Sequence, residues 1–150
     1  MKIVSACLAG ENCKWNGKNN LNAAVRGMVE RGEAVAACPE MLGGLPAPRK
    51  PCGIFGGAGA DVLDGKASVR SVGDGEDLTE NFVRGAGEFL KIAKSSGATE
   101  AILKARSPSC GCGATWRLDG NLENRVAEGD GVAAALLKRN GIAVAEGDKL

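Results

Sequence analysis

The apolar positions of this 150-residue chain form short continuous runs, separated by longer stretches with helical spacing. "KIVSAC" (2–7), "EAVAAC" (33–38), "EAILKA" (100–105) and "IAVAE" (142–146) are the continuous runs. Unbroken apolarity, as opposed to alternation, is the pattern of strands buried on both faces, as in a parallel sheet. Leu21, Val25, Met28 and Val29 recur at helical spacing, with Gly32 as a stop. Phe82, Ala86, Phe89, Leu90 and Ala93 share one face of a helix over 77–97, where Asp77 or Thr79 can cap the start and Gly97 can end it. "GDGVAAALLKRNG" predicts a third helix, capped near Asp130 and stopped at Asn140–Gly141.

Two segments break this rhythm. "ADVLDGKASVRSV" alternates about Asp64–Gly65 and predicts a hairpin. "WRLDGNLENRV" holds a second Asp–Gly turn, in a small hairpin or a loop. Met41 to Gly59 is rich in Gly and Pro and reads as one long loop, a feature that is uncommon in a compact domain without a task. The order of elements predicts an α/β fold: a single Rossmann-like domain over residues 1–150, three-layered, with a mainly parallel sheet between helices and a small β-hairpin.

Composition narrows the chemistry. The formal charge is +1, so no strong field draws in a nucleic-acid polymer or an anionic membrane, and neither is an expected partner. No apolar run approaches the length of a bilayer span, and the N-terminus reads as a strand and not as a signal peptide, so a cytoplasmic location is expected. There, thiols stay reduced, and six cysteines point to metal binding or catalysis rather than disulfides. Histidine and tyrosine are absent. That excludes Ser-His and Cys-His catalysis, mixed Cys/His zinc sites and 2-His-1-carboxylate iron. Sulfur-only ligation remains, with carboxylates, lysines and hydroxyls around it.

Cys7, Cys38 and Cys110 each lie at or just after the C-terminal end of a predicted strand. In a parallel sheet those ends share one edge, where ligands bind. Three converging thiolates make a soft-metal pocket suited to an iron–sulfur cluster or zinc. Zinc fits less well, because Cys110-Gly-Cys112 is too tight for a C-x2–4-C knuckle. "GENCKWNGK" and "FGGAGAD" lack the spacing of phosphate-binding loops and read as plain loops.

Five strings, "SACLAGENCKWNG", "CPEMLGGLPAPRKP", "NFVRGA", "AILKARSPSCG" and "GDGVAAALLKRNGIAV", occur in this order over nearly the whole chain. They resemble the successive motifs of domain-of-unknown-function family 523, a bacterial family that includes the thiouracil desulfidases. The resemblance implies a [4Fe–4S] cluster held by Cys7, Cys38 and Cys110, with one iron left open. It implies non-redox desulfuration of a small thiolated heterocycle such as thiouracil, the open iron binding the thiocarbonyl sulfur and water replacing it. Glu40 of "CPE" matches the acidic residue that activates the water. Ser107, the first serine of "SPSC", matches a serine that holds the water or relays a proton.

Cys13, Arg49 and Ser109 are candidates for substrate contact or for support of the cluster, and Trp15 and Trp116 for stacking on a flat ring. Lys104 and Arg106 flank the cluster strand and are placed to offset its negative charge. Cys52 and Cys112 fall outside the ligand pattern. The alternatives are sulfur transfer through a persulfide on Cys13 or Cys112, and a non-catalytic iron–sulfur or zinc module.

Overall fold

A computed structural model describes residues 1–150. Its elements are β1 (Lys2–Ser5), a 3-10 turn (Ala6–Ala9), α1 (Ala23–Glu30), β2 (Ala34–Ala37), α2 (Pro39–Leu42), β3 (Cys52–Phe55), α3 (Gly59–Leu63) and β4 (Ser68–Ser71). Then come α4 (Thr79–Ser95), β5 (Glu100–Leu103), β6 (Ala114–Leu118), β7 (Asn124–Glu128), α5 (Val132–Arg139), β8 (Ala143–Glu146) and a terminal 3-10 turn (Gly147–Lys149).

The four continuous apolar runs become one fully parallel sheet in the order β2-β1-β5-β8. Its two faces are covered separately. Val4, Leu8 and Ile102 pack with Val25 of α1 on one side. Ile3 and Leu103 pack with Phe89 of α4 and Ala134 and Leu137 of α5 on the other. Strand order reverses between β1 and β5, since β2 lies outward of β1 on one side and β8 outward of β5 on the other. That switch point is where an open α/β sheet leaves a crevice.

The remaining strands form a second, mixed sheet in the order β4-β3-β6-β7. β3 runs antiparallel to β4 and parallel to β6, and β6 and β7 form a hairpin. This sheet has its own core, in which Ile54 and Val69 pack on Val62 of α3, Phe82 and Ala86 of α4, and Val132 of α5. The long helix α4 therefore spans both cores, with Phe82 in one and Phe89 in the other. Each ring is fully buried and contributes about 1.5–3 kcal/mol.

Two expectations change. The first arm of the hairpin proposed about Asp64–Gly65 is helix α3, whose start is held by Asp61 accepting from the Ala58 amide (2.8 Å). Only the second arm is a strand, β4, and its partner is β3. The alternation in "ADVL" was too short to separate strand from a single helical turn. The Met41–Gly59 loop is also not all loop: β3 sits inside it, hidden in the sequence by Pro51 and Gly53. Helix starts differ as well. The α4 N-cap is Leu78, and Asp77 instead accepts from the Thr79 amide (2.9 Å). The α5 N-cap is Gly131, while Asp130 accepts from the Gly113 amide (2.8 Å).

Candidate metal centre and active site

β1 ends at Ser5, and the chain turns at once into the 3-10 turn that carries Cys7. β2 ends at Ala37, and Cys38 is the N-cap of α2 with Pro39 as first helical residue. That proline has no N–H to satisfy and a φ already suited to a helix start. The turn is sharp, and it places Glu40 in the first helical turn beside Cys38. α2 lies against α4 with no room for side chains. A Cβ on Gly85 would come within 2.0 Å of the Pro39 carbonyl oxygen, and one on Gly43 within 2.0 Å of the Asn81 carbonyl oxygen. Asn81 Nδ2 donates to the Gly43 carbonyl (2.8 Å) and closes the end of α2. The glycine of "NFVRGA" is thus what seats the "CPE" turn.

After β5, Arg106 adopts φ 66°, unusual for a residue with a side chain, and a β-bridge to Thr115 holds it there. The following Ser107–Cys110 turn is built on Ser107 Oγ, which accepts from the amides of Ser109 and Cys110 (both 3.1 Å). The turn docks on the N-terminus of α5. The Pro108 carbonyl accepts from the Val132 amide (2.8 Å), and the Ser109 carbonyl from Ala133 (2.9 Å) and Ala134 (3.1 Å). Backbone amides that no helix can satisfy internally are therefore closed by the cysteine turn.

These turns meet in one cleft of about 430 Å³. Cys7, Cys38 and Cys110 line it from the parallel sheet's side, with Cys13, Glu40 and Ser107. Cys52, Trp116 and Asn124 line it from the second sheet, and Trp15 and Arg106 lie at its rim. Trp15 is 49% exposed and Trp116 37%, so neither indole is consumed by the core.

Glu40 and Arg49 form an ion pair of 2.7 Å whose side chains are only 13% and 7% exposed. Arg49 also donates to the carbonyls of Cys13 (2.9 Å) and Pro46 (3.1 Å). Its bonds run to Glu40 and to the loops, and it fixes Glu40 Oε2. Glu40 Oε1 is buried with no hydrogen-bond partner. Burying a charged pair costs several kcal/mol of desolvation, so a half-satisfied carboxylate facing a cleft is a poor stabilising device. It is an arrangement that holds one oxygen still and leaves the other for a ligand.

The thiols differ in character. Cys13 touches both Cys38 and Cys7, and these contacts together with burial push its own thiol well up. Hydrogen bonding from Cys13 lowers Cys7 and Cys38 against the opposing effect of burial. The Cys38 thiol also donates to the Cys13 carbonyl (3.7 Å). Burial raises Cys110, which the Ser5 hydroxyl touches while its oxygen accepts from the Lys104 amide (2.9 Å). Burial also pushes Cys52 up to about 12. Lys104 pairs with Asp148 (2.5 Å). No group of three or more Cys, Asp or Glu side chains closes around a single ion. A sulfur-only set spread around one cleft, with a buried unpartnered carboxylate oxygen among it, fits a multi-iron cluster better than one zinc ion.

Residues 3–149 match the family model described as 2-thiouracil desulfurase. The chain belongs to the 2-thiouracil desulfurase family. The uncharacterized protein YbbK of Bacillus subtilis (strain 168) is 43% identical over 150 residues, covering all of this chain and 97% of that one. A solved structure described as the [4Fe–4S]-dependent thiouracil desulfidase TudS superposes with a TM-score of 0.82 at 36% identity, covering 99% of this chain and 91% of the other. The mixed α/β fold is that of this desulfidase, with a mainly parallel sheet, a second sheet and helices on both faces.

Within the desulfurase fold, not every candidate reaches the cleft. Cys7, Cys13, Cys38, Cys110, Glu40, Arg49 and Ser107 do. Ser109 does not line it; its side chain is fully buried and its hydroxyl has no partner. Cys112 also lies outside the cleft, where its thiol donates to the Val144 carbonyl (3.7 Å) beside Lys138. Cys52, which falls outside the sequence pattern, is in it. Asn20 and Asn124 also line the cleft without any signal in the sequence, because an Asn in a polar loop looks like any turn residue.

Proposed function

We propose that the chain is a desulfidase for a small thiolated heterocycle of the thiouracil type. In this reading Cys7, Cys38 and Cys110 hold a [4Fe–4S] cluster. When bound with three protein thiolates, such a cluster supplies one open iron, a soft Lewis acid suited to a thiocarbonyl sulfur. The net reaction exchanges sulfur for oxygen: C=S and water become C=O and hydrogen sulfide, with no change in oxidation state.

The chain's own residues supply the rest. Glu40 Oε1 accepts a proton from the attacking water, while Arg49 holds Oε2 so that the carboxylate cannot turn away. Ser107 uses its oxygen as an acceptor for two amides, so its hydroxyl proton is the part left to donate into the cleft. Trp15 and Trp116 offer two partly exposed indoles to a flat ring. Pro39, Pro51 and Phe82 make the wall apolar and limit the water that enters.

The observation that carries this reading is the buried, unpartnered Glu40 Oε1 in the same cleft as three strand-end cysteines. A persulfide carrier is less well supported, because Cys112 is outside the cleft and Cys13 is buried. Anaerobic reconstitution with iron and sulfide is the test. About four irons per chain and hydrosulfide release from 2-thiouracil are expected. Stoichiometric zinc with no iron uptake would sink the proposal.

A further inference from the structure

We infer that Asn20 is a positioning residue for the metal centre: its side-chain amide, locked by Lys14 and unpartnered in the cleft, is the donor held ready for an N–H···S hydrogen bond to the Cys7 sulfur once the cluster is bound. This rests on the cluster reading of the cleft and adds a residue that tunes it.

Three observations meet at Asn20. First, its backbone is tied to the ligand residue itself, since the Asn20 amide donates to the Cys7 carbonyl (2.9 Å). The same carbonyl accepts from Gly10 (3.2 Å), so the loop returning from residues 11–19 closes directly over the cysteine turn. Second, the side-chain orientation is set. Lys14 Nζ donates to Asn20 Oδ1 (3.1 Å), which assigns the oxygen to the lysine and leaves both amide hydrogens on the other side. Third, Asn20 Nδ2 is buried with no hydrogen-bond partner of any kind, and Asn20 lines the same cleft as Cys7.

A buried amide donor without a partner costs about 1–3 kcal/mol. In the loaded cleft, the thiolate of Cys7 is the acceptor that can offset this. An N–H directed at a cluster thiolate withdraws electron density from it and raises the reduction potential, one of the main controls a protein has over such a centre. The loop around it is cross-braced by Asn19 donating to Asn12 (2.9 Å) and by the Lys14 amide donating to the Lys18 carbonyl (3.1 Å). The donor is therefore held in place before any ligand arrives.

The test uses the reconstituted full chain under anaerobic conditions. Asn20→Asp keeps the shape and removes the donor. Lys14→Met, at a residue outside the core, leaves the amide in place but free to turn. The iron content of both should match that of the unaltered protein. Asn20→Asp should lower the midpoint potential and lose iron to a chelator about 10- to 100-fold faster. Lys14→Met should shift both in the same direction by less. Iron-loaded Asn20→Asp with an unchanged potential and unchanged chelation rate overturns the assignment while leaving the cluster intact. An unaltered protein that takes up no iron overturns both together.

Discussion

The two sheets divide the work of the cleft unequally. The parallel sheet sends its strand ends into the site as short, over-determined turns: Cys7 directly after β1, Cys38 at the cap of α2, and Cys110 in a turn docked on α5. The second sheet arrives by two insertions, one between β2 and β5 and one between β5 and β8, and contributes Cys52, Trp116 and Asn124. The first brings Cys7, Cys38, Cys110, the Glu40 carboxylate and the Ser107 hydroxyl to the cleft. The second brings one further thiol, Cys52, with the Trp116 ring and the Asn124 amide. A binding wall can change without disturbing the chemistry when the two are carried by different sheets.

The largest expected effect comes from the parallel-sheet side. Cys38→Ala should remove bound iron and activity together, measured by iron analysis and hydrosulfide release. Glu40→Gln should keep the iron and lower kcat by about 10²- to 10⁴-fold, the usual scale for a general base, in steady-state assays on thiouracil. A Glu40→Gln variant with full kcat would move the base to another residue.

Gly85→Ala tests how that side is seated. The added methyl would sit 2.0 Å from the Pro39 carbonyl oxygen, so α2 must shift and carry Glu40 with it. A destabilisation of about 1–3 kcal/mol in denaturant unfolding is expected, with lower kcat in whatever folds. On the second sheet, Trp116→Ala should raise KM about tenfold and leave kcat near its original value, since stacking on a base is worth about 1–3 kcal/mol. A large kcat loss there would erase the division between the sheets. The smallest effect belongs to Cys112→Ser. Its thiol faces the Val144 carbonyl outside the cleft, so iron content and kcat should not move.

Much of this was readable before any fold was known. The four continuous apolar runs are the four parallel strands: the central β1 and β5 are buried on both faces and so have no polar positions to alternate with, while the edge strand β8 is partly exposed. The three cysteines proposed as ligands stood out because each follows such a run. Strand β3 was invisible for the opposite reason: Pro51 and Gly53 are read as breakers, and only pairing with β4 and β6 makes "CGIF" a strand. The Asp64–Gly65 turn was real, but it follows a helix.

What the sequence determined by itself is local: which segments are buried, where they stop, and the absence of histidine that leaves sulfur and carboxylate to do the chemistry. What the tertiary structure decided is which of those groups have partners. Cys110 and Cys112 are two residues apart, yet only one enters the cleft, because the turn docks on α5 through the carbonyls of Pro108 and Ser109. Arg49 is nine residues from Glu40 along the chain and 2.7 Å from it in space. Whether a carboxylate oxygen or an amide donor is satisfied depends on surfaces brought together from distant segments, and that is set by packing and not by any string of residues.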